Sequence, residues 1–406
     1  MSKKMLVIMA APNVSEQFGG EAIKALHIFR ETKKLYPDTM LITHRRNESE
    51  ASDRLKLTDV HYIDDSWLDR LIWKSVVFRW FINWVFSVRA VSLAKKLANN
   101  ASTENKQVVV WQTEPNSPVT PRAIARDHFN CFGPINGNIY YPSAFHKEEK
   151  LKVKLRRRLH APLQQFNRLF FNKLTKADLI FVAGGERTSK SLKLLGCKPD
   201  IFYDTVDCGI QGSMFDFERI KHDGENYRFV HFGRLVYHKG TFLIIKAIAK
   251  SNLPICLDII GRGPELDNLK ALVKTMKLEE RVIFHDWFTS HDELFLSLNK
   301  YRGFVIPSME DANGIVVQEA LAIGLPTIAL NWGGPQLLIE HGKSGYLVEP
   351  KTEECIVSDL ARYMEELATN GQLAEKMSCY ARERASEWNW NSVINDWTEQ
   401  IKKSLP

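Results

Sequence analysis

With 406 residues the chain is longer than one hydrophobic core usually organises, so two domains of roughly 150–200 residues are expected and a lone binding module is excluded. Hydrophobic residues at 44% and charged residues at 25% match globular averages, which rules out a disordered, collagenous or fibrous chain. The net charge of +7 is unevenly placed: residues 1–215 hold 33 Lys and Arg against 21 Asp and Glu, or +12, and the remainder holds 22 against 27, or −5. The basic half is therefore expected to face something anionic, membrane headgroups or a phosphorylated substrate. Nucleic acid is not expected, because no helix-turn-helix, zinc-finger or RNP-type motif accompanies the charge. The six cysteines lie far apart with no Cys-x-x-Cys pair, as expected of reduced, mostly buried thiols in a cytosolic protein.

Along the chain, short β-rich apolar runs alternate with helix-like segments, the pattern of parallel sheets with crossover helices. Met5–Ala11 opens as a buried strand; its seven apolar residues run into Pro12-Asn13 without a cleavage site, unlike a secretory signal. Phe18-Gly19-Gly20-Glu21 precedes the first helix, and Met40–Thr43 is the next strand. The segment 67–97 holds Trp67, Trp73, Phe78, Trp80, Phe81, Trp84 and Phe86, but Arg70, Lys74, Arg79 and Arg89 interrupt it, so it is not a membrane span. Val108–Trp111 and Leu179–Val182 complete the first set of strands. Between them, the run from Lys150 to Arg158 reads either as a solvated helix face or as an anchor on an anionic leaflet, with segment 67–86 adding apolar contact. The strand, glycine loop and helix then restart: Phe229–Phe232 is followed by Gly233 to Gly240, then by strands at Cys256–Ile260, Val282–Phe284, Phe304–Pro307 and Thr327–Ala329. This predicts an α/β chain of two doubly wound domains facing a cleft at the strand C-terminal ends. The expected boundaries are residues 1–208 and 209–385, with an aromatic helix over 386–406 packing back toward the first domain.

The chemistry-bearing residues cluster in the second half. From Pro307 to Pro326 a strand ends, an Asn313-Gly314 turn opens a helix, and Gly324 with Pro326 closes it. Ile315, Val316, Val317, Ala320, Leu321 and Ile323 surround the helix axis, so Glu319 is a carboxylate in an apolar setting, costly unless hydrogen-bonded. A vicinal diol such as ribose offers two matching donors; pairing with a buried Arg is the alternative. Asp311, in the preceding loop, either meets hydroxyls near the helix N-terminus or caps that helix. The terminus itself offers free N–H groups to an anion. The loop Gly233-Arg234-Leu235-Val236-Tyr237-His238-Lys239-Gly240 holds two cations five residues apart between glycines, the usual tools for a diphosphate.

These motifs resemble the GT-B nucleotide-sugar-dependent glycosyltransferases of glycosyltransferase family 4. The resemblance runs over roughly residues 229–350 and includes Ile260-Gly261-Arg262-Gly263-Pro264-Glu265, the Glu319-Ala320 pair, Gly333-Gly334-Pro335 and Gly342 to Val348. It implies a GT-B fold and a retaining reaction, with Arg234 and Lys239 on the donor diphosphate, Glu319 on ribose and Asp311 on the transferred sugar. It also places Gly19, Gly20, Gly233, Glu310, Asn313, Gly314 and Ile315 around the donor. The chain departs from the family pattern where Asp311-Ala312-Asn313-Gly314 replaces Glu-Gly-Phe-Gly, leaving Glu310 one residue out of register. Arg262 and Asp286 stand where relatives often carry Asp and Gly, near the expected base pocket, with Trp287 as a stacking face. Phe132-Gly133-Pro134-Ile135-Asn136-Gly137-Asn138 looks like a loop of a bacterial surface-polysaccharide subgroup. On the acceptor side the candidates are His128 and Thr113.

The expectation is thus a retaining hexosyltransferase that moves a sugar from a nucleoside-diphosphate donor to a growing, lipid-linked surface glycan. No metal or other cofactor is expected, because no Asp-x-Asp triplet occurs. The runners-up are a sugar-nucleotide epimerase or phosphorylase on the same scaffold, and a non-catalytic glycan-assembly subunit. The expected location is the cytoplasm, with peripheral attachment to the inner face of the cell membrane considered.

Overall fold

The computed structural model describes residues 4–16, 19–67, 69, 81–101, 106–137, 140–149, 151–288 and 290–406. Phe18, Arg70, Trp73, Lys74, Phe78, Arg79, Trp80, Asn138 and Lys150, all invoked above, lie outside the described residues. The chain divides into a first unit of residues 1–138, 155–208 and 390–406 and a second of residues 139–154 and 209–389.

In the first unit seven described strands form one parallel sheet: β1 (Lys4–Ala10), β2 (Met40–His44), β3 (Val60–Ile63), β4 (Lys106–Gln112), β5 (Phe129–Ile135), β6 (Leu179–Val182) and β7 (Phe202–Asp204). Their order is β3-β2-β1-β4-β5-β6-β7. Crossover helices α1 (Gly19–Leu35), α2 (Ile82–Asn100), α3 (Leu151–Phe170) and α4 (Glu186–Leu195) join them. Central strands of such sheets are covered on both faces, which is why they read as unbroken apolar runs rather than alternations. Val7, Ile8, Met9, Val109, Val110, Ile180 and Phe181 are all buried, each worth about 1.5–3 kcal/mol. The helix Trp390–Ser404 belongs to this unit: Trp397 donates from Nε1 to Thr205 Oγ1 (2.7 Å) and stacks on Phe181 (5.3 Å), and Trp390 stacks on His27 (5.2 Å).

One correction concerns residues 132–138, read above as a loop. Phe132 to Ile135 form the end of β5, an inner strand, and the register against β6 shifts between Phe132 and Ile135. That irregularity is where an inner strand tolerates a proline, which has no N–H to give the ladder.

The second unit holds six described parallel strands: β8 (Arg228–Phe232), β9 (Cys256–Ile260), β10 (Val282–His285), β11 (Gly303–Ile306), β12 (Thr327–Leu330) and β13 (Gly345–Val348), in the order β10-β9-β8-β11-β12-β13. Its helices are α5 (Thr241–Lys250), α6 (Leu266–Thr275), α7 (His291–Ser297), α8 (Ile315–Ala322), α9 (Pro335–Leu338), α10 (Glu353–Thr369) and α11 (Gly371–Ser386). Leu243, Ile244, Leu257, Val305, Ile328 and Met364 centre its core. Part of the segment assigned above to the N-terminal domain packs here: Tyr141 and Phe145 join this core, and Trp332 donates from Nε1 to Tyr140 O (2.8 Å).

Strand order fixes where ligands fit. Crevices open at the strand C-terminal ends where the winding direction reverses, between β1 and β4 in the first unit and between β8 and β11 in the second. None of the six cysteines forms a disulfide, but Cys355 and Cys379 are exposed, contrary to the expectation of mostly buried thiols; both lie on solvent-facing turns of α10 and α11. Among the described residues no helix is long and apolar enough to cross a membrane.

Candidate functional site

The loop after β8 and the loop after β11 meet at the second unit's reversal point. Gly240 ends the first loop with φ +72°, and a Cβ there would collide with Pro307 O, so only glycine lets the two backbones close up. The contact is completed by Met309 N donating to His238 O (2.7 Å). Beneath it His231, buried in β8, bridges Val305 O through Nδ1 (2.8 Å) and the Thr241 hydroxyl at the head of α5 through Nε2 (3.0 Å). Burial pushes its pKa down to about 4, so the neutral ring donates to the carbonyl and accepts from the hydroxyl. The end of β8, the start of α5 and β11 are thus tied together directly below Lys239.

On this frame Lys239 Nζ sits 2.6 Å from Asp311 Oδ2, with both side chains more than four-fifths buried. The other carboxylate oxygen of Asp311 accepts from Gly314 N (3.1 Å), so Asp311 bridges the lysine and the head of α8. Gly314, at φ +78°, is the N-cap of α8 and lets the chain turn sharply into the helix. His238 stands in the field of Lys239, Glu310, Arg234 and Asp311, and burial, reinforced by Lys239, holds its pKa below the ordinary histidine value. Arg234 is exposed one residue after Gly233, and a Cβ on Gly233 would meet open space. Glu319, in the second turn of α8, is half-buried, and desolvation pushes its carboxyl up to about 7. Ile315, read above as part of an apolar surround, is 44% exposed, so the first turn of α8 is open at its N-terminal end.

Next along the strand ends come the loops after β9 and β10. Arg262 Nε lies 3.2 Å from Asp286 Oδ1, so the two residues that depart from the family pattern pair with one another. Both are well exposed, so the pair contributes about 0–1 kcal/mol. Trp287 follows Asp286 and is half-buried. Asn313 Nδ2 reaches the Gln318 amide oxygen at 3.4 Å, inside the same α8 entry. The structure therefore brings Arg234, Lys239, Glu310, Asp311, Asn313, Gly314, Ile315 and Glu319 to the loops of one crevice, with Arg262 and Trp287 on the adjoining strand ends. Among the described residues no group of three or more His, Cys, Asp or Glu side chains is arranged to hold a metal ion.

In the first unit Gly19, Gly20 and Glu21 form the first turn of α1 rather than a loop ahead of it, and a Cβ on Gly20 would meet open space. Thr113 is fully buried at the end of β4, donating its N–H to Ala10 O (3.2 Å). His128 is not near it. It precedes Phe129, which pairs with Val109 in β4, so five residues of parallel strand, on the order of 16 Å, separate its level from that of Thr113. His128 lines an open groove at the strand N-terminal ends with Asn99, Lys106, Arg126 and Asp178. As an acceptor-side candidate at the strand C-terminal ends it is therefore withdrawn: the run after Asp127 starts a strand instead of ending one.

The sequence reading missed a buried polar cluster at this unit's own reversal point. Lys24, 3% exposed on α1, holds Asp207 at 2.8 Å and Asn116 at 2.7 Å. Beside it Glu114 is 2% exposed, Asn13 donates a backbone N–H to it, and its Oε1 has no partner among the described residues. Desolvation first, then the neighbouring Glu21, pushes the Glu114 carboxyl up to about 8. Arg122, fully buried, donates to Pro115 O, lies over Phe132, and burial lowers its pKa to about 9. A polar residue directly after an apolar strand, as in Gln112-Thr113-Glu114, is the one local signal that marked the place.

Residues 214–384 match the family model for glycosyl transferases group 1. An uncharacterized glycosyltransferase of Haemophilus influenzae is 29% identical over 177 residues, covering 43% of this chain and 48% of that protein. The lipopolysaccharide core biosynthesis glycosyltransferase LpsE of Rhizobium meliloti is 30% identical over 175 residues, 43% of this chain and 49% of its own. The chain thus spans about half the length of these curated relatives. Among solved structures, the apo lipopolysaccharide outer core galactosyltransferase WaaB superimposes with a TM-score of 0.68 at 14% identity, over 99% of this chain and 100% of that one. Anabaena HepE in complex with UDP gives 0.62 at 15% identity, over 98% and 100%. Residues 214–384, most of the second unit, thus match a glycosyl transferases group 1 domain, and the chain has the α/β fold of the GT-B glycosyltransferases.

Proposed function

We propose that this protein is a retaining glycosyltransferase of the family 4 type that moves a hexose-like sugar from a nucleoside-diphosphate donor to a lipid-linked surface polysaccharide or lipopolysaccharide on the cytoplasmic side of the membrane. The observation that carries the reading is the Lys239–Asp311 contact, set at the sheet's reversal point beside Arg234 and the open first turn of α8. The relatives named for lipopolysaccharide synthesis, and a structural neighbour holding UDP, point the same way.

On this reading the diphosphate takes the place of the Asp311 carboxylate on Lys239, while Arg234 and the N–H group at Ile315 receive its remaining oxygens. Breaking the sugar C1–O bond sends the electron pair to the diphosphate, and these donors are already aimed at the charge that develops there. Asp311, released from Lys239, accepts from hydroxyls of the sugar. Glu319 accepts the two ribose hydroxyls, and Arg262 and Trp287 border the base. Among the described residues no carboxylate is assigned as a nucleophile. The acceptor hydroxyl therefore attacks C1 from the face the diphosphate leaves, and its proton passes to the departing phosphate oxygen. Glu114 and Thr113 mark the acceptor side.

The test is a thermal-shift panel of nucleoside diphosphates and their sugars. A ligand at 100 times its dissociation constant adds about 2.7 kcal/mol of stability. The stabilising donor is then incubated with and without a glycolipid acceptor. Transfer that requires the acceptor and survives EDTA is the expected result. No shift with any nucleoside diphosphate, or isomerisation of the donor without acceptor, refutes the proposal.

A further inference from the structure

Helix α3 (Leu151–Phe170) presents its polar side to the protein and its apolar side to solvent. Gln164 is fully buried and donates from Nε2 to Pro118 O (3.0 Å) and Ser191 O (2.9 Å); Asn167 donates to Val119 O (2.8 Å). His160 Nε2 meets Ser191 Oγ at 2.8 Å. These bonds fix the rotation of the helix, because turning it would strand buried carbonyls and amides together. On the other side Leu151, Leu155, Leu159, Phe166, Leu169 and Phe170 are 46–81% exposed. At about 100° per residue they fill one arc roughly 100° wide, so the exposed residues form a continuous stripe along the helix. Lys152 and Arg156 border one edge of the stripe, and Lys154 and Arg158 the other; the helix contains no acidic residue. Phe166 packs against Phe170 (4.7 Å) and Phe171 (6.2 Å), and Phe171 against Phe81 (5.9 Å) and Trp84 (5.6 Å), which extends the apolar surface to the start of α2.

We infer that this face of α3 lies in the interface of an anionic lipid bilayer. An apolar stripe with cations on both edges matches a surface that is apolar beneath and negatively charged above. A second copy of the chain matches only the stripe, since it sets cations against cations. Trp84 and the phenylalanines sit at one end of the helix, where amphipathic rings suit the headgroup level. The inference goes beyond the glycosyl-transfer reading and does not rest on it, because the face is defined by side-chain exposure and charge alone.

Flotation of the full chain with vesicles tests it. Phosphatidylcholine vesicles mixed with phosphatidylglycerol are expected to carry the protein, pure phosphatidylcholine vesicles to carry much less, and added salt to release it. Each basic residue near an anionic leaflet is worth about fivefold in partitioning, so Lys152→Gln with Arg158→Gln lowers it roughly 25-fold. Leu151→Ser, Leu155→Ser and Leu169→Ser together abolish flotation with an unfolding midpoint close to that of the wild type, since these side chains are 53–81% exposed. No flotation of the wild-type chain, or flotation that both variant sets retain, overturns the inference. So does a dimer in sedimentation analysis that the triple variant dissolves without any effect of lipid. If the triple variant does not fold, the charge variant and the salt titration still decide.

Discussion

Asp311→Asn is the most informative single change, because the structure assigns the carboxylate two jobs that the substitution separates. The amide keeps an oxygen for Gly314 N, so the entry to α8 is retained, but the charge 2.6 Å from Lys239 Nζ is lost. A phosphate oxygen that takes the carboxylate's place on that ammonium leaves Asp311, still held by Gly314 N, two contact distances away, about 5–6 Å. Repulsion between the two anions there is about 3 kcal/mol at an effective dielectric of 20 and about 0.8 kcal/mol at that of water. The pair is 14–18% exposed at the rim of a crevice, so the lower half of that range applies. Asp311→Asn should therefore tighten a bare nucleoside diphosphate by roughly fourfold to 25-fold while slowing sugar transfer. Calorimetric titration at low and high salt measures it, and the gain should shrink as salt rises. Adding Lys239→Met to Asp311→Asn should abolish the gain, since the benefit runs through that ammonium. Unchanged or weaker nucleotide binding in a correctly folded Asp311→Asn protein would refute the electrostatic account of the loop.

Three further outcomes are expected. Arg234→Ala and Lys239→Ala should each lower turnover on the order of 10²–10³, the usual loss of one charge-stabilising donor; near-normal rates in either variant with unchanged melting contradict the clamp. Glu319→Ala should weaken the bare nucleoside diphosphate as well as the full donor, by about 1–3 kcal/mol for hydroxyls left unpaired, and equal affinity in calorimetry removes Glu319 from the ribose. Glu114, held protonated in the fold up to about pH 8 but ionised above about 4.5 when unfolded, makes the folded state bind the extra proton, so stability falls as pH rises between those values. Glu114→Gln should gain on the wild type by a few kcal/mol between pH 5 and pH 8, and a flat difference in urea midpoints across that window shows that the carboxyl is not buried neutral.

The nine strands expected from apolar runs are present, with ends shifted by a residue or two. The four that escaped have physical reasons. β7 is three residues long, and β3 is an edge strand, Val-His-Tyr-Ile, that is only half-buried and so carries no unbroken apolar run. β13 opens with a glycine after Gly342-Lys343-Ser344, and β5 contains Gly133-Pro134, a pair that ordinarily marks a turn. The loops after β8 and β11 were legible as a cluster because their charges and glycines lie within a few residues of each other and of a strand end. The Lys24 cluster was not, because its partners Asn116 and Asp207 lie 92 and 183 residues away in sequence. The pairing of Arg262 with Asp286 was hidden for the same reason: each looked like an isolated departure, and only the adjacency of β9 and β10 joins them. The basic run at 150–158 was legible as charge, yet which side of α3 faces outward depends on Gln164 and Asn167 finding carbonyls far off in the chain.

Charge is distributed between two tasks. Residues 216–406 carry a net −5, so nothing in their overall field draws a nucleoside diphosphate toward the second unit. On the proposed reading, recruitment there comes from groups within contact range, Arg234, Lys239 and the head of α8, since charges farther than about 8 Å are largely screened at physiological salt. The Lys239–Asp311 contact keeps the lysine desolvated and placed without leaving a bare buried cation, whose cost would exceed that of the pair. The surplus of +12 in residues 1–215 lies elsewhere: five of its cations fall between Lys152 and Arg158, around the apolar stripe of α3. A surplus meant for phosphates of a small ligand would be expected at a reversal point, yet the one in the first unit holds Lys24 already satisfied by Asp207 and a carboxyl that burial keeps protonated near neutral pH. The cations of the first half thus fit an extended anionic surface, and those of the second a single diphosphate.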